Sequence, residues 1–246
     1  MSDRDDGPAT PPPASGPTAE SIRSRPVEPR RHLILFLSWL EVEEGDGLPP
    51  QFDRSGSLHD LLDRLSATKT RWRWEMPLRA IQPHLGILET VSLVVSGRSI
   101  EDVPAFASLF AGLSDLTKVR LYVCCHSIGS PSDHRLLPWV QDGIVTRDLS
   151  RAEVLAQYGG VDFDEDFNAI FDCVSFIVHR LLTALGGFSK EGDITIDITG
   201  GQKPPSIVGG AISLNRDIHV QYVQTNEPKR VKSYDIVLTH DPHLHA

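Results

Sequence analysis

The residues best able to do chemistry in this chain form one run, Thr199-Gly200-Gly201-Gln202-Lys203-Pro204-Pro205-Ser206. Two glycines allow a ligand close to the backbone, the lysine supplies a positive charge, and Pro204 suits the first turn of a helix. Backbone N–H groups at a helix start, with a cation beside them, make an anion site of the kind that holds phosphate. The same residues also read as a tight turn with a solvated lysine, and spacing alone leaves both readings open. The run is not a Walker A loop, because the interval before Lys203 is wrong and a proline follows it; nor is it GxGxxG. Generic ATPase and NAD-enzyme readings lose ground accordingly.

Smaller polar clusters follow three other apolar runs: Ser38, then Ser96-Gly97, then His126-Ser127. An imidazole such as His126 can give or take a proton near neutral pH, or it can simply cap a loop. Trp72 and Trp74 with Arg71, Arg73 and Arg79 form a basic-aromatic cluster that suits base stacking, a partner surface or core packing. His179 falls inside a helical pattern and reads as structural, and the acidic residues 162–166 read as a solvated helix start. His240, His243 and His245 lack the fixed geometry a metal needs. Cys124, Cys125 and Cys173 make neither a disulfide framework nor a CxxC motif, so no metal and no cofactor is expected.

Positioning these groups requires strands that end beside one another. Residues 33–37 are a continuous apolar run, the mark of a strand covered on both faces. Residues 91–95, 119–124 and 194–198 read as further strands. Leu58, Leu61, Leu62 and Leu65 fall at helical spacing, as do Val103, Phe106, Leu109, Phe110 and Leu113. The longest helical rhythm joins Phe167, Ile170, Phe171, Val174, Ile177, Val178, Leu181, Leu182 and Leu185, with Gly186-Gly187 as the stop. Residues 218–223 and 231–238 alternate apolar and polar side chains around the turn residues Asn226, Glu227 and Pro228. The expected class is α/β: a Rossmann-like, mostly parallel sheet flanked by helices, with a C-terminal antiparallel hairpin. Residues 41–57, 66–88 and 127–160 fit no clean template.

Seven of the 18 prolines fall in residues 1–31 with almost no large apolar residue, so this segment is expected to be a disordered tail. Residues 32–240 are expected to be one domain and 241–246 a second tail. The balance of 24 basic against 33 acidic residues, net -9, argues against generic nucleic-acid binding. It leaves room for a small anionic ligand held by a few local donors. No run of about 18 apolar residues is evident and the N-terminus lacks a secretory h-region, so neither membrane nor export is expected. A reducing cytoplasm is the simplest setting.

The run Asp197-Ile198-Thr199-Gly200-Gly201-Gln202-Lys203, followed by a helix and a strand ending in Tyr222-Val223-Gln224-Thr225-Asn226, resembles the CARF (CRISPR-associated Rossmann fold) domain. The family's signature is D-x-T-G-G-[TQ]-K at a strand end, and the match covers residues 193–226 directly. Gln202 stands where threonine is common, and Pro204-Pro205 is unusual. The resemblance implies a homodimer that binds a cyclic oligoadenylate, the second messenger of type III CRISPR antiviral defence, with cyclic tetra-adenylate the expected ring. It implies ligand contacts from Thr199, Gly200, Gly201, Gln202 and Lys203. Ser38, Ser96, Gly97, Ser206 and Asn226 are the further candidate binding residues.

Some CARF proteins are ring nucleases, in which the ribose 2′-OH attacks its own phosphate without metal. On that reading Lys203 would stabilise charge on the phosphate, Ser38 would orient the sugar, and His126 would move a proton. Members often carry an effector after the sensor, whereas here the sheet is expected to end near Leu238, which points to a sensor without one. Arg54 and His59 match the R-x4-H spacing of a HEPN ribonuclease in a segment too short for its helices. A nucleotide-handling protein unrelated to CRISPR signalling is the remaining alternative.

Overall fold

The computed structural model describes residues 26–37, 56–68, 74–164, 166–185, 187, 189–200, 203–214, 216–224 and 229–234. Among the described residues, nine strands form one sheet: β1 (His32–Leu37), β2 (Thr90–Val95), β3 (Arg120–Ser127), β4 (His134–Gln141), β5 (Ile144–Val145), β6 (Tyr158–Gly159), β7 (Ile194–Asp197), β8 (His219–Val223) and β9 (Val231–Tyr234). Their order is β5-β4-β3-β2-β1-β7-β8-β9, with β6 pairing β3 beyond the end of β2. The five strands β3, β2, β1, β7 and β8 are parallel, while β4, β5, β6 and β9 run antiparallel to their neighbours. This is the expected α/β sheet with its antiparallel C-terminal hairpin.

Central position explains the composition of β1. All six of its residues are buried, because β2 and β7 cover its edges and helices cover both faces. Leu33, Leu35 and Leu37 face one layer, built from α1 (Leu58–Thr68), α2 (Glu75–Ile81) and α3 (Val103–Gly112). Ile34 and Phe36 face the other, built from α5 (Phe167–Arg180) and α6 (Lys203–Ser213). Alternation along the strand thus sends successive side chains into two separate cores. His32 opens the strand, with Thr90 Oγ1 at 2.9 Å from Nδ1 and Ser189 Oγ at 2.7 Å from Nε2. Burial holds its pKa down at about 4, so the ring sits in the sheet uncharged.

Several expectations change. The chain is tied to the fold before residue 32: the Arg30 backbone N–H donates to His84 Nδ1 at 2.9 Å, and the Arg30 guanidinium reaches Gly192 O at 2.8 Å. Residues 127–160, which fit no template, hold β4, β5, α4 (Arg151–Gln157) and β6, an antiparallel extension of the sheet. Pro138 is tolerated in β4 beside a register shift opposite Leu121 and Tyr122, where the ladder is already interrupted.

Phe167 and Phe171 are 39% and 38% exposed although they keep the α5 rhythm. The sheet covers only a limited arc of the helix, and Cys173 fills the inner face with Ile170, Val174, Ile177 and Val178. His179 is exposed in the last turn of α5. The run Phe167–Leu185 is long and apolar enough to cross a membrane by length and composition, which corrects the expectation that no such run exists. Here its inner stripe packs on the sheet.

Candidate functional site

Chain order reverses between β1 and β7. From β1 the chain builds outward through β2 and β3, then returns to the other side for β7 and β8. At such a switch point the loops leaving adjacent strands diverge, and open α/β sheets bind ligands in that crevice beyond the strand carboxyl ends. Register puts Leu35 opposite Asp197 and Leu37 opposite Val95. The glycine–lysine run therefore leaves the sheet beside the end of β1, at the crevice.

Local bonds fix the described part of that run. Asp197 Oδ1 accepts the Thr199 backbone N–H at 3.0 Å, and Thr199 Oγ1 accepts the Val223 N–H at 2.6 Å. The first bond turns the chain out of β7; the second ties the turn to β8. Gly200 follows half-buried, and Lys203 begins α6 with its side chain exposed. Ser206 Oγ donates to Ile198 O at 3.3 Å, joining the first turn of α6 to the strand end. Thr199 and Ser206 thus hold the loop's shape, while Lys203 is presented outward beside the helix N-terminus.

Close approach of α6 depends on Gly209. A Cβ there would lie 2.6 Å from Ile198 Cγ2 and 3.3 Å from Ile196 Cγ2. The sequence signal was a glycine inside a helical pattern, which often marks a tight packing contact. Asp197 is fully buried, and its Oδ2 has no hydrogen-bond partner among the described residues. Desolvation raises its pKa to about 7 against the Thr199 N–H, which favours the carboxylate. The carboxyl at the end of β7 is therefore largely uncharged below neutral pH.

The structure distributes the remaining candidates. Ser38, Gly201, Gln202 and Asn226 lie outside the described residues. The Ser96 N–H donates to Ser99 Oγ at 2.8 Å, and Ser96 Oγ accepts the Ser99 N–H at 3.0 Å, so this serine organises the turn after β2. Gly97 is exposed with open space where a Cβ would be. His126 is packed on the Gly159-Gly160 segment, with Ser127 O and Gly160 O each 3.1 Å from a ring nitrogen. Gly160 in turn lies against Ser96, where a Cβ would collide with the Ser96 carbonyl. Ser96 and His126 thus share one corner, but β3 stands three strands from β7, about 14 Å at usual strand spacing.

Of the basic-aromatic cluster, Trp74 is 6% exposed and packs edge-on against Phe106, which makes it core. Arg79 Nε donates to Glu75 Oε1 at 2.8 Å, and Lys229 Nζ donates to the same buried carboxylate at 2.9 Å. That arginine is committed to α2, not to a base. Trp72, Arg71, Arg73, Arg54 and the three C-terminal histidines lie outside the described residues. His59 sits exposed on α1, 3.4 Å from Asp63.

The chain is similar to a protein of Aquifex aeolicus (strain VF5) described as an uncharacterized protein, with 29% identity over 207 residues. The match takes in 84% of this chain and 55% of that relative, so the chain spans about half the length of the curated protein it matches. No family model matches the chain, and no solved structure does.

Proposed function

We propose that this chain is a sensor domain of the CARF type that binds a cyclic oligoadenylate, cyclic tetra-adenylate first among the candidate rings. One observation carries the reading: the D-x-T-G-G-Q-K run leaves β7 at the point where strand order reverses, and its lysine opens α6. A ring phosphate there meets the Lys203 ammonium and the positive end of the α6 dipole, since Pro204 and Pro205 carry no N–H to donate. With a net charge of -9, recognition of a polyanion rests on that local cradle.

A homodimer belongs to the proposal. Ile207, 60% exposed, lies one turn after Lys203 on the same face of α6, an apolar anchor beside the cation that a second copy would cover. A cytoplasmic setting also belongs to it, and three buried free cysteines suit a reducing compartment.

The test is incubation of the purified chain with cyclic tri-, tetra- and hexa-adenylate, with calorimetry for binding and chromatography for products. Tight binding of an intact ring, lost in Lys203→Ala, supports the sensor. Linear products that vanish in Lys203→Ala support a ring nuclease at the same loop. No binding to any of the three rings sinks both.

A further inference from the structure

Cys124 and Cys125 are adjacent in β3, so their side chains point to opposite faces of the sheet. Cys124 belongs to the core beneath α5, Cys125 to the core beneath α3. On α5, Cys173 points inward, and its thiol lies 2.9 Å from the Cys124 sulfur. His134 completes the group from β4. Cys124 is paired with Leu136, and His134 lies two residues along the same strand, hence on the same face. The His134 ring packs beside Phe176, one turn after Cys173, with centroids 6.3 Å apart.

Two sulfurs and a ring nitrogen therefore converge, with donor atoms all within 4.8 Å of one another. Both thiols are fully buried, and His134 is half-buried with an Nδ1 that has no hydrogen-bond partner among the described residues. An apolar core has little use for an orphan imidazole nitrogen beside two thiols, whereas a thiolate-preferring cation has use for all three.

We propose that Cys124, Cys173 and His134 form a Cys2His site for Zn²⁺ that pins α5 to the β3–β4 edge. Zn–S bonds of about 2.3 Å in a tetrahedral set place two sulfurs roughly 3.8 Å apart. The observed pair need therefore open by less than about 1 Å, well within side-chain rotation. Binding releases a proton from each thiol and takes the imidazole neutral, so the two thiolates offset the charge of the ion. The half-buried histidine puts the fourth position on the solvent side, where water completes the tetrahedron. The site is independent of the crevice between β1 and β7 and of the reading proposed for it.

Titration of the reduced, chelator-stripped full chain with Co²⁺, then Zn²⁺, tests this. The expected result is a thiolate-to-cobalt charge-transfer band that saturates at one equivalent and is erased by Zn²⁺, with a rise in melting temperature. Imidazole-only binding at the C-terminal histidines gives no such band. Cys173→Ser and His134→Ala should each weaken Zn²⁺ by more than about 100-fold, the upper range for loss of a merely supporting partner. Cys125→Ala should leave the band intact. The wild-type titration decides the matter even if a core variant fails to fold. Absence of the band, or an intact mass two hydrogens light that shows a Cys124–Cys173 disulfide resistant to Zn²⁺, overturns the proposal.

Discussion

Replacing Asp197 with asparagine should raise stability, and by an amount that depends on pH in a set way. In the folded chain this carboxyl is fully buried, one oxygen has no hydrogen-bond partner among the described residues, and its pKa rises from 3.8 to about 7. Between those values the native state holds a proton that the unfolded chain has released, so stability falls as pH rises from about 4 to about 7 and then levels. The full effect is about 4 kcal/mol, from roughly 1.4 kcal/mol for each unit between the two values. The amide introduced by Asp197→Asn keeps an oxygen for the Thr199 N–H and cannot ionise, so this loss is absent from the variant. Urea denaturation of both proteins from pH 4 to pH 8 isolates the effect, because all other titrating groups cancel in the difference. The gap, variant minus wild type, should widen by several kcal/mol across that interval and flatten above neutrality. A gap that stays constant with pH would refute the account of Asp197.

Three further outcomes follow from the packing. Thr199→Val removes the acceptor of the Val223 N–H and should cost about 1–3 kcal/mol in denaturant unfolding. Gly209→Ala forces a methyl to 2.6 Å from Ile198 and should cost about 1–3 kcal/mol, lowering Tm by several degrees in calorimetry. Glu75→Gln leaves Arg79 and Lys229 facing a neutral amide at a site 2% exposed, for a loss of roughly 3 kcal/mol that high salt should not mimic.

The central sheet was legible because burial on both faces gives β1 a continuous apolar run and keeps β2 and β3 largely apolar, while β7 showed itself by alternation. The antiparallel edge was not. Its strands carry Pro138, mixed polarity and lengths down to two residues, so no period can establish itself. The short α4 did leave a signal in Ser150 and Glu153, whose capping box the structure contains. At the site, the glycine–lysine loop could be read because its residues are contiguous. The bond from Val223 to Thr199 could not, since it depends on β8 lying beside β7. For the same reason the Cys124–Cys173–His134 group was invisible: it assembles only when α5 lands on the sheet.

The placement of β1 also sets a timetable for synthesis. Its six buried residues leave the ribosome before any other strand of the sheet, and β2 and β3 then offer one edge a partner. The other edge waits for β7, roughly 160 residues later, on the order of 10–30 s at about 5–20 residues per second. Throughout that interval a half-sheet ends in an apolar strand with unsatisfied backbone groups, the form most prone to pair with a neighbouring nascent chain. Polysomes crowded with this message are therefore where its misassembly should begin, and the arrival of residues 194–197 is the event that ends the hazard.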